Sequence, residues 1–265
     1  MDFNIKDKIA VITGGDSGIG VATAKILTSE GVKVALIDKT DDKLKQAAQE
    51  VGKIGEVMYV KADLRELAQV ENAKSQILQR FGKVDILVNA AGITGATGDF
   101  LEITDEEWLN TIEVDLMSAV RVCRAFIPSM RESGWGRVVL ISSEDALQPY
   151  IDELPYCAAK AGVLNLAKGL SKAYGKDGVL INSVSPAFIA TPMTDAMMKK
   201  QAEEKGISFE EAISQFLKQD RPHLELNRRG KAQEVAAVIA FLCSQQASFV
   251  LGANYRVDGG SVASI

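Results

Sequence analysis

A single histidine, His223, in 265 residues removes most histidine-dependent chemistry at the outset. Multi-histidine metal centres are excluded, and a Ser–His or Cys–His couple has one imidazole to draw on. His223 follows Pro222 and reads as a surface residue rather than a catalyst. Cysteine is scarce too. Cys123, Cys157 and Cys243 are odd in number, far apart and without C-x-x-C spacing, the pattern of reduced thiols in a cytoplasmic protein rather than of a disulfide or zinc framework. Positive charge is not in excess: 30 Lys and Arg against 35 Asp and Glu leave a net charge of −5, so neither nucleic acid nor an anionic membrane surface is an expected partner. The opening "MDFNIKDKIAVITGG" carries acidic residues and no long apolar core, so neither a secretory leader nor a transmembrane helix is expected. No Pro/Ser-rich linker, repeat or low-complexity tract divides the chain, which reads as one domain over 1–265.

What is present is alternation. Short apolar runs at 8–13, 33–38, 56–62, 84–90, 137–143 and 179–185 predict strands, with a short last one near 254–257. They are apolar nearly throughout, as parallel strands covered on both faces must be. Helical patterns at about 18–30, 41–51, 65–81, 104–132, 154–175 and 231–244 lie between them. The order predicts an α/β fold: a Rossmann-like, doubly wound parallel sheet flanked by helices on both faces. The stretch 187–226 holds little strand pattern and is expected to cover the substrate.

"TGGDSGIG" (13–20) follows the first strand and opens the first helix. Gly14, Gly18 and Gly20 permit a tight turn and let backbone amides approach a pyrophosphate, and the helix N-terminus adds positive potential. Asp16, Ser17 and Ile19 complete the expected cofactor loop. Asp38 ends the second strand, where a carboxylate can accept hydrogen bonds from both adenosine ribose hydroxyls. A 2′-phosphate would meet that charge, with Asp16 adding a second, so NAD is expected as cofactor and NADP is disfavoured; Lys39 is the counter-indication. Asp63 and Leu64 follow the third strand, where Asp63 either faces adenine or caps the next helix.

Ser143 ends the fifth strand, and "PYCAAK" (155–160) puts Tyr156 and Lys160 four apart, on one helical face. A nearby ammonium favours phenolate and is expected to bring the phenol down from about 10 toward neutrality. Such a tyrosine exchanges a proton with an alcohol or ketone oxygen, and a serine hydroxyl at the same oxygen orients the substrate.

Together with "NAAG" (89–92), "SVSPAFIATPM" (185–193) and "VDGG" (257–260), these motifs resemble the short-chain dehydrogenase/reductase family over essentially the whole chain. The resemblance implies an oxidoreductase acting on CH–OH groups, with Ser143 positioning the carbonyl, Tyr156 as general acid/base and Lys160 also bonding the nicotinamide ribose. It implies that Asn89, Ala90, Ala91 and Gly92 border the adenosine ribose, and that Pro186, Ile189 and Thr191 meet the nicotinamide carboxamide. The helices at 104–132 and 154–175 match those that build the interfaces of family tetramers, implying a homotetramer or homodimer. Asp115 stands where the family usually has an asparagine in the proton relay, and is taken with the catalytic set. A buried carboxylate there must be protonated, or pair with Lys160 or another donor.

The substrate is a small alcohol or ketone that these motifs do not name. Phe188, Met193, Met197 and Met198 suggest either a partly apolar pocket or ordinary helix packing. The linker 144–155, with Glu144, Asp145, Asp152 and Glu153, is expected to be a solvated acidic loop. Two alternatives stay open. One is a 3-oxoacyl thioester reductase, weakened by Asp177 beside Lys176 in "AYGKDG", where carrier-protein reductases use basic residues. The other is a catalytically impaired NAD-binding regulatory protein, for which Asp115 is the sole foothold. A cofactor-free lyase or dehalogenase of this fold would lack the glycine loop and the lysine, both of which are kept.

Overall fold

The computed structural model describes residues 2–16 and 18–264. Its centre is a seven-stranded parallel sheet: β1 (Ile9–Thr13), β2 (Lys33–Asp38), β3 (Val57–Lys61), β4 (Ile86–Asn89), β5 (Gly136–Ile141), β6 (Val179–Pro186) and β9 (Asn254–Val257). The spatial order is β3-β2-β1-β4-β5-β6-β9. Every residue of β1, β4 and β5 is buried, which explains their unbroken apolar character. Successive side chains still go to opposite faces. Ala10 and Ile12 pack with α1 (Gly18–Ser29), α2 (Asp41–Val51) and α9 (Ala232–Cys243), whereas Val11 packs with the layer formed by α3 (Leu67–Phe81), α5 (Ser118–Ser133) and α6 (Leu154–Tyr174).

The chain reverses its winding between β1 and β4, which pair with Thr13 opposite Asn89. An open α/β sheet parts its loops at such a point, beyond the carboxyl ends of the strands. Gly14, Asp38, Asp63, Ala90, Ser143 and Ala187 all sit at or just past strand ends on that edge.

Two expectations need correction. The pattern at 104–132 is not one helix: α4 (Asp105–Ile112) and α5 are separated by a π-helical turn, Glu113–Met117. The wide turn rephases the helix and turns Asp115 fully into the protein. The stretch 187–226 is also more ordered than its lack of strands implied. It holds the short β7 (Ile189–Ala190), which pairs with β8 (Gly230–Lys231), then α7 (Pro192–Lys205) and α8 (Phe209–Gln219). These helices enclose a small core of Phe188, Met198, Phe216, Leu217 and Leu224. Met198 thus belongs to packing. Among the described residues, no helix is long and apolar enough to cross a membrane.

Candidate active site

Glycine is required where the loop after β1 folds on itself. Gly14 has φ +66°, and a Cβ there would stand 2.7 Å from the Ala90 backbone. A Cβ on Gly20 would stand 2.1 Å from the Gly14 carbonyl oxygen. The first turn of α1 carries no acidic residue, so among the described loop residues the positive end of its dipole is met only by Asp16, just before the helix. Gly18 brings the loop against Thr191, whose Cγ2 would be 3.1 Å from an added Cβ. A cleft of about 400 Å³ runs from this loop along the strand ends.

Gly14, Asp16, Gly18, Ile19, Gly20, Asp38, Asp63, Leu64, Ala90, Ala91 and Gly92 line one stretch of it. Ser143, Tyr156, Lys160, Pro186, Ile189 and Thr191 line the rest. Ser17 lies outside the described residues. Asn89 is not at the cleft surface: it is buried, and its Oδ1 accepts a 2.9 Å hydrogen bond from Thr13 Oγ1, which in turn accepts from the Ala91 amide at 3.2 Å. It therefore joins β1 to β4 beneath the cleft.

At the far end the Asp16 and Asp38 carboxyls face each other. Burial is the largest cause, and Asp16 the next, pushing Asp38 up to about 6. Asp63 does not keep its carboxylate free: Arg65 Nη2 donates to it at 2.7 Å and the Arg65 amide at 3.0 Å, holding it below the usual carboxylate range. Lys39, Lys43 and Arg65 also line this end. Lys43 and Arg65 were not anticipated. The available signal was Lys43 in the first turn of α2, where a cation opposes the helix dipole.

At the other end Ser143 Oγ donates to Asp145 Oδ1 at 2.7 Å and accepts from the Asp145 amide at 3.3 Å. Lys160 is buried, with Nζ 5.4 Å from the Tyr156 ring centroid, 3.4 Å from the Ile141 carbonyl oxygen and 3.1 Å from Asp115 Oδ1. The Tyr156 phenol is pushed well above its ordinary value, chiefly by burial and then by Asp145 and Asp115, with the Ser143 hydroxyl pulling the other way. The expected lowering by Lys160 is thus not what the site displays: burial of the phenol is the largest influence, and the ammonium is also paired with Asp115.

The acidic linker is not solvated either. Glu144 and Asp145 are buried, Glu153 is partly so, and only Asp152 is exposed. Arg221, from just past α8, reaches two of them: its Nη2 lies 3.0 Å from Glu153 and its Nε 3.7 Å from Glu144. His223 is exposed.

A family model described as short chain dehydrogenase matches residues 8–202. The chain belongs to the short-chain dehydrogenase family. It is an oxidoreductase of that family, and relatives span its length. Levodione reductase of Leifsonia aquatica is 35% identical over 261 residues, 97% of this chain and 95% of the relative. Meso-2,3-butanediol dehydrogenase of Serratia marcescens is 34% identical over 258 residues, 97% and 96%. Among short-chain dehydrogenase structures, L-sorbose reductase from Gluconobacter frateurii, complexed with NADPH and L-sorbose, superposes with a TM-score of 0.95 at 32% identity, each chain covered in full.

Proposed function

We propose that the chain interconverts a secondary alcohol and a ketone with NAD(H), using Tyr156 as the group that gives and takes the proton. The observation carrying this reading is the convergence of Ser143, Tyr156 and Lys160 on one cleft whose opposite end is the glycine loop. The close backbone approaches at Gly14 and Gly20 fold the loop tightly before α1, whose N-terminal amides suit a pyrophosphate. A bound nicotinamide supplies the hydride chemistry, and the protein supplies placement and the proton.

Within the chain, Ser143 orients the carbonyl oxygen. The single O–H of Ser143 points to Asp145 Oδ1 at 2.7 Å, so the hydroxyl turns from that carboxylate to donate to the substrate oxygen. Tyr156 donates to the oxygen as it gains charge, and Lys160 holds the ribose and the relay behind the phenol. Pro186, Ile189 and Thr191, which line the same cleft, would hold the nicotinamide carboxamide. The Asp16–Asp38 pair supports NAD(H), since two carboxylates oppose a 2′-phosphate. Lys39 and Lys43 at the same end favour a second reading, in which NADP(H) is also used. The small-molecule substrate is an uncharged alcohol or ketone, and the protein works in the cytoplasm as a homotetramer or homodimer built on the α5 and α6 faces.

The test is turnover of a mixed ketone and alcohol panel with NAD(H) and NADP(H), wild type beside Tyr156→Phe. NAD-selective turnover that falls about 10²- to 10⁴-fold in the variant is expected. Undiminished turnover in Tyr156→Phe would refute the assignment, and a preference for NADP(H) would refute the reading of Asp38.

A further inference from the structure

Asp115 and Lys160 form a buried ion pair. Their side chains are 0% and 5% exposed, with Oδ1 and Nζ 3.1 Å apart. Oδ1 also accepts from the Ile93 amide at 3.2 Å, whereas Oδ2 is buried with no partner. The backbone at Gly92 wraps the pair so closely that a Cβ there would stand 2.5 Å from Asp115 Oδ1 and 3.1 Å from Lys160 Nζ. The π-helical turn is what aims Asp115 inward.

Two acids therefore compete for one buried cation. Tyr156 holds its ring 5.4 Å from the same ammonium and is the only one of the two at the cleft. We infer that Asp115 is a positioning residue that captures the Lys160 ammonium and so keeps Tyr156 protonated, as a standing proton donor to a carbonyl oxygen.

The remaining charged groups around Tyr156 work in the same direction. Asp145, from the turn after Ser143, and Glu153, at the start of α6, both oppose a phenolate, as Asp115 does directly. Asp145 is held by Ser143 and Glu153 by Arg221, so neither competes for Lys160. The Ser143 hydroxyl pulls the other way, and the Lys160 ammonium, which would do the same, is paired with Asp115. Asp115 is itself faced by Lys160 and the Ile93 amide alone, and burial pushes its carboxyl up against their pull. When its charge is removed, the buried ammonium has no counter-charge except the phenolate, and Tyr156 ionises more easily. Carbonyl reduction, which needs the protonated phenol, accordingly holds its rate across the neutral range and declines only in strong alkali.

This inference rests on the proposed role of Tyr156, but its first test needs no turnover. The ultraviolet absorbance of tyrosinate is followed against pH in the full chain without cofactor, for wild type, Asp115→Asn and, as the blank for this phenol, Tyr156→Phe. In wild type the Tyr156 signal is expected only above the ordinary range of about 10, and in Asp115→Asn it is expected to move down by about one to three pH units. The alkaline limb of kcat/KM for ketone reduction should move down with it. A merely structural role for Asp115 would lower kcat and the unfolding temperature without moving either titration. Ionisation of Tyr156 below the ordinary range in wild type overturns the inference even if Asp115→Asn does not fold. An unmoved titration in a folded Asp115→Asn overturns it as well. If the titrations behave as expected and no ketone is turned over, the proposed function fails and the coupling of Asp115 to Tyr156 stands.

Discussion

Arg221 reaches from the end of α8 to Glu153 at the head of α6, Nη2 to Oε1 3.0 Å, while its guanidinium carbon lies 3.4 Å above the Tyr150 ring. One buried cation thereby ties the covering segment to the helix that carries Tyr156 and Lys160. Removing one member of a buried pair strands the other. Arg221→Met is expected to cost about 3–5 kcal/mol of stability, read as a lowered thermal midpoint. Proteolysis should then begin within 192–219, and an unchanged cleavage pattern would show that the segment is held by its apolar core alone.

Glu144 and Glu153 make stability depend on pH. Both are raised from an ordinary 4.5 to about 7, burial being the largest cause. A raised acid binds its proton more tightly in the folded state, so its stabilising contribution is complete below about 4.5 and is lost as pH rises through about 7. The thermal midpoint should fall between pH 5 and pH 8, and Glu144→Gln should flatten that fall. The measurement is a series of melts across this range in one buffer system.

Asp38 makes cofactor choice depend on pH in the same sense. Its carboxyl, pushed up to about 6 by burial and by Asp16, is charged at neutral pH and opposes a 2′-phosphate. Below about 6 that opposition fades, so the KM for NADP(H) relative to NAD(H) should decrease in acid. Asp38→Asn is expected to remove this trend and relax the preference at neutral pH about tenfold, the effect of roughly 1.4 kcal/mol. A preference that is flat with pH in wild type would show that the Asp38 charge does not set it.

Gly92→Ala tests the close approach around the Asp115–Lys160 pair. The new methyl must push apart groups at 2.5 and 3.1 Å, a misfit expected to cost about 1–3 kcal/mol. Activity should fall further than stability, because Lys160 is displaced. A variant that melts lower but turns over normally would show that the pair yields without consequence for Tyr156.

The glycine-rich turn and the shared helical face of Tyr156 and Lys160 were legible because their partners are close in sequence. Gly14, Gly18 and Gly20 belong to one strand-to-helix turn, and Tyr156 and Lys160 to one helical face. The inner strands were legible for a related reason, since burial of β1, β4 and β5 on both faces leaves a continuous apolar run. The π-helical turn at Glu113–Met117 was not, because its residues are compatible with an ordinary helix and only packing of Asp115 against Lys160 sets the phase.

Sequence alone determined the order of elements, the glycine-rich turn after the first strand and the placing of Tyr156 and Lys160 on one helical face, all consequences of local hydropathy, turn geometry and helical spacing. Tertiary structure alone decided the state of the charges. It placed Glu144 and Asp145 inside, joined Glu153 to an arginine 68 residues away and gave the Lys160 ammonium to Asp115. A carboxylate's ionisation depends on how much water surrounds it and which cation lies within a few ångströms, and neither quantity exists until distant segments have packed.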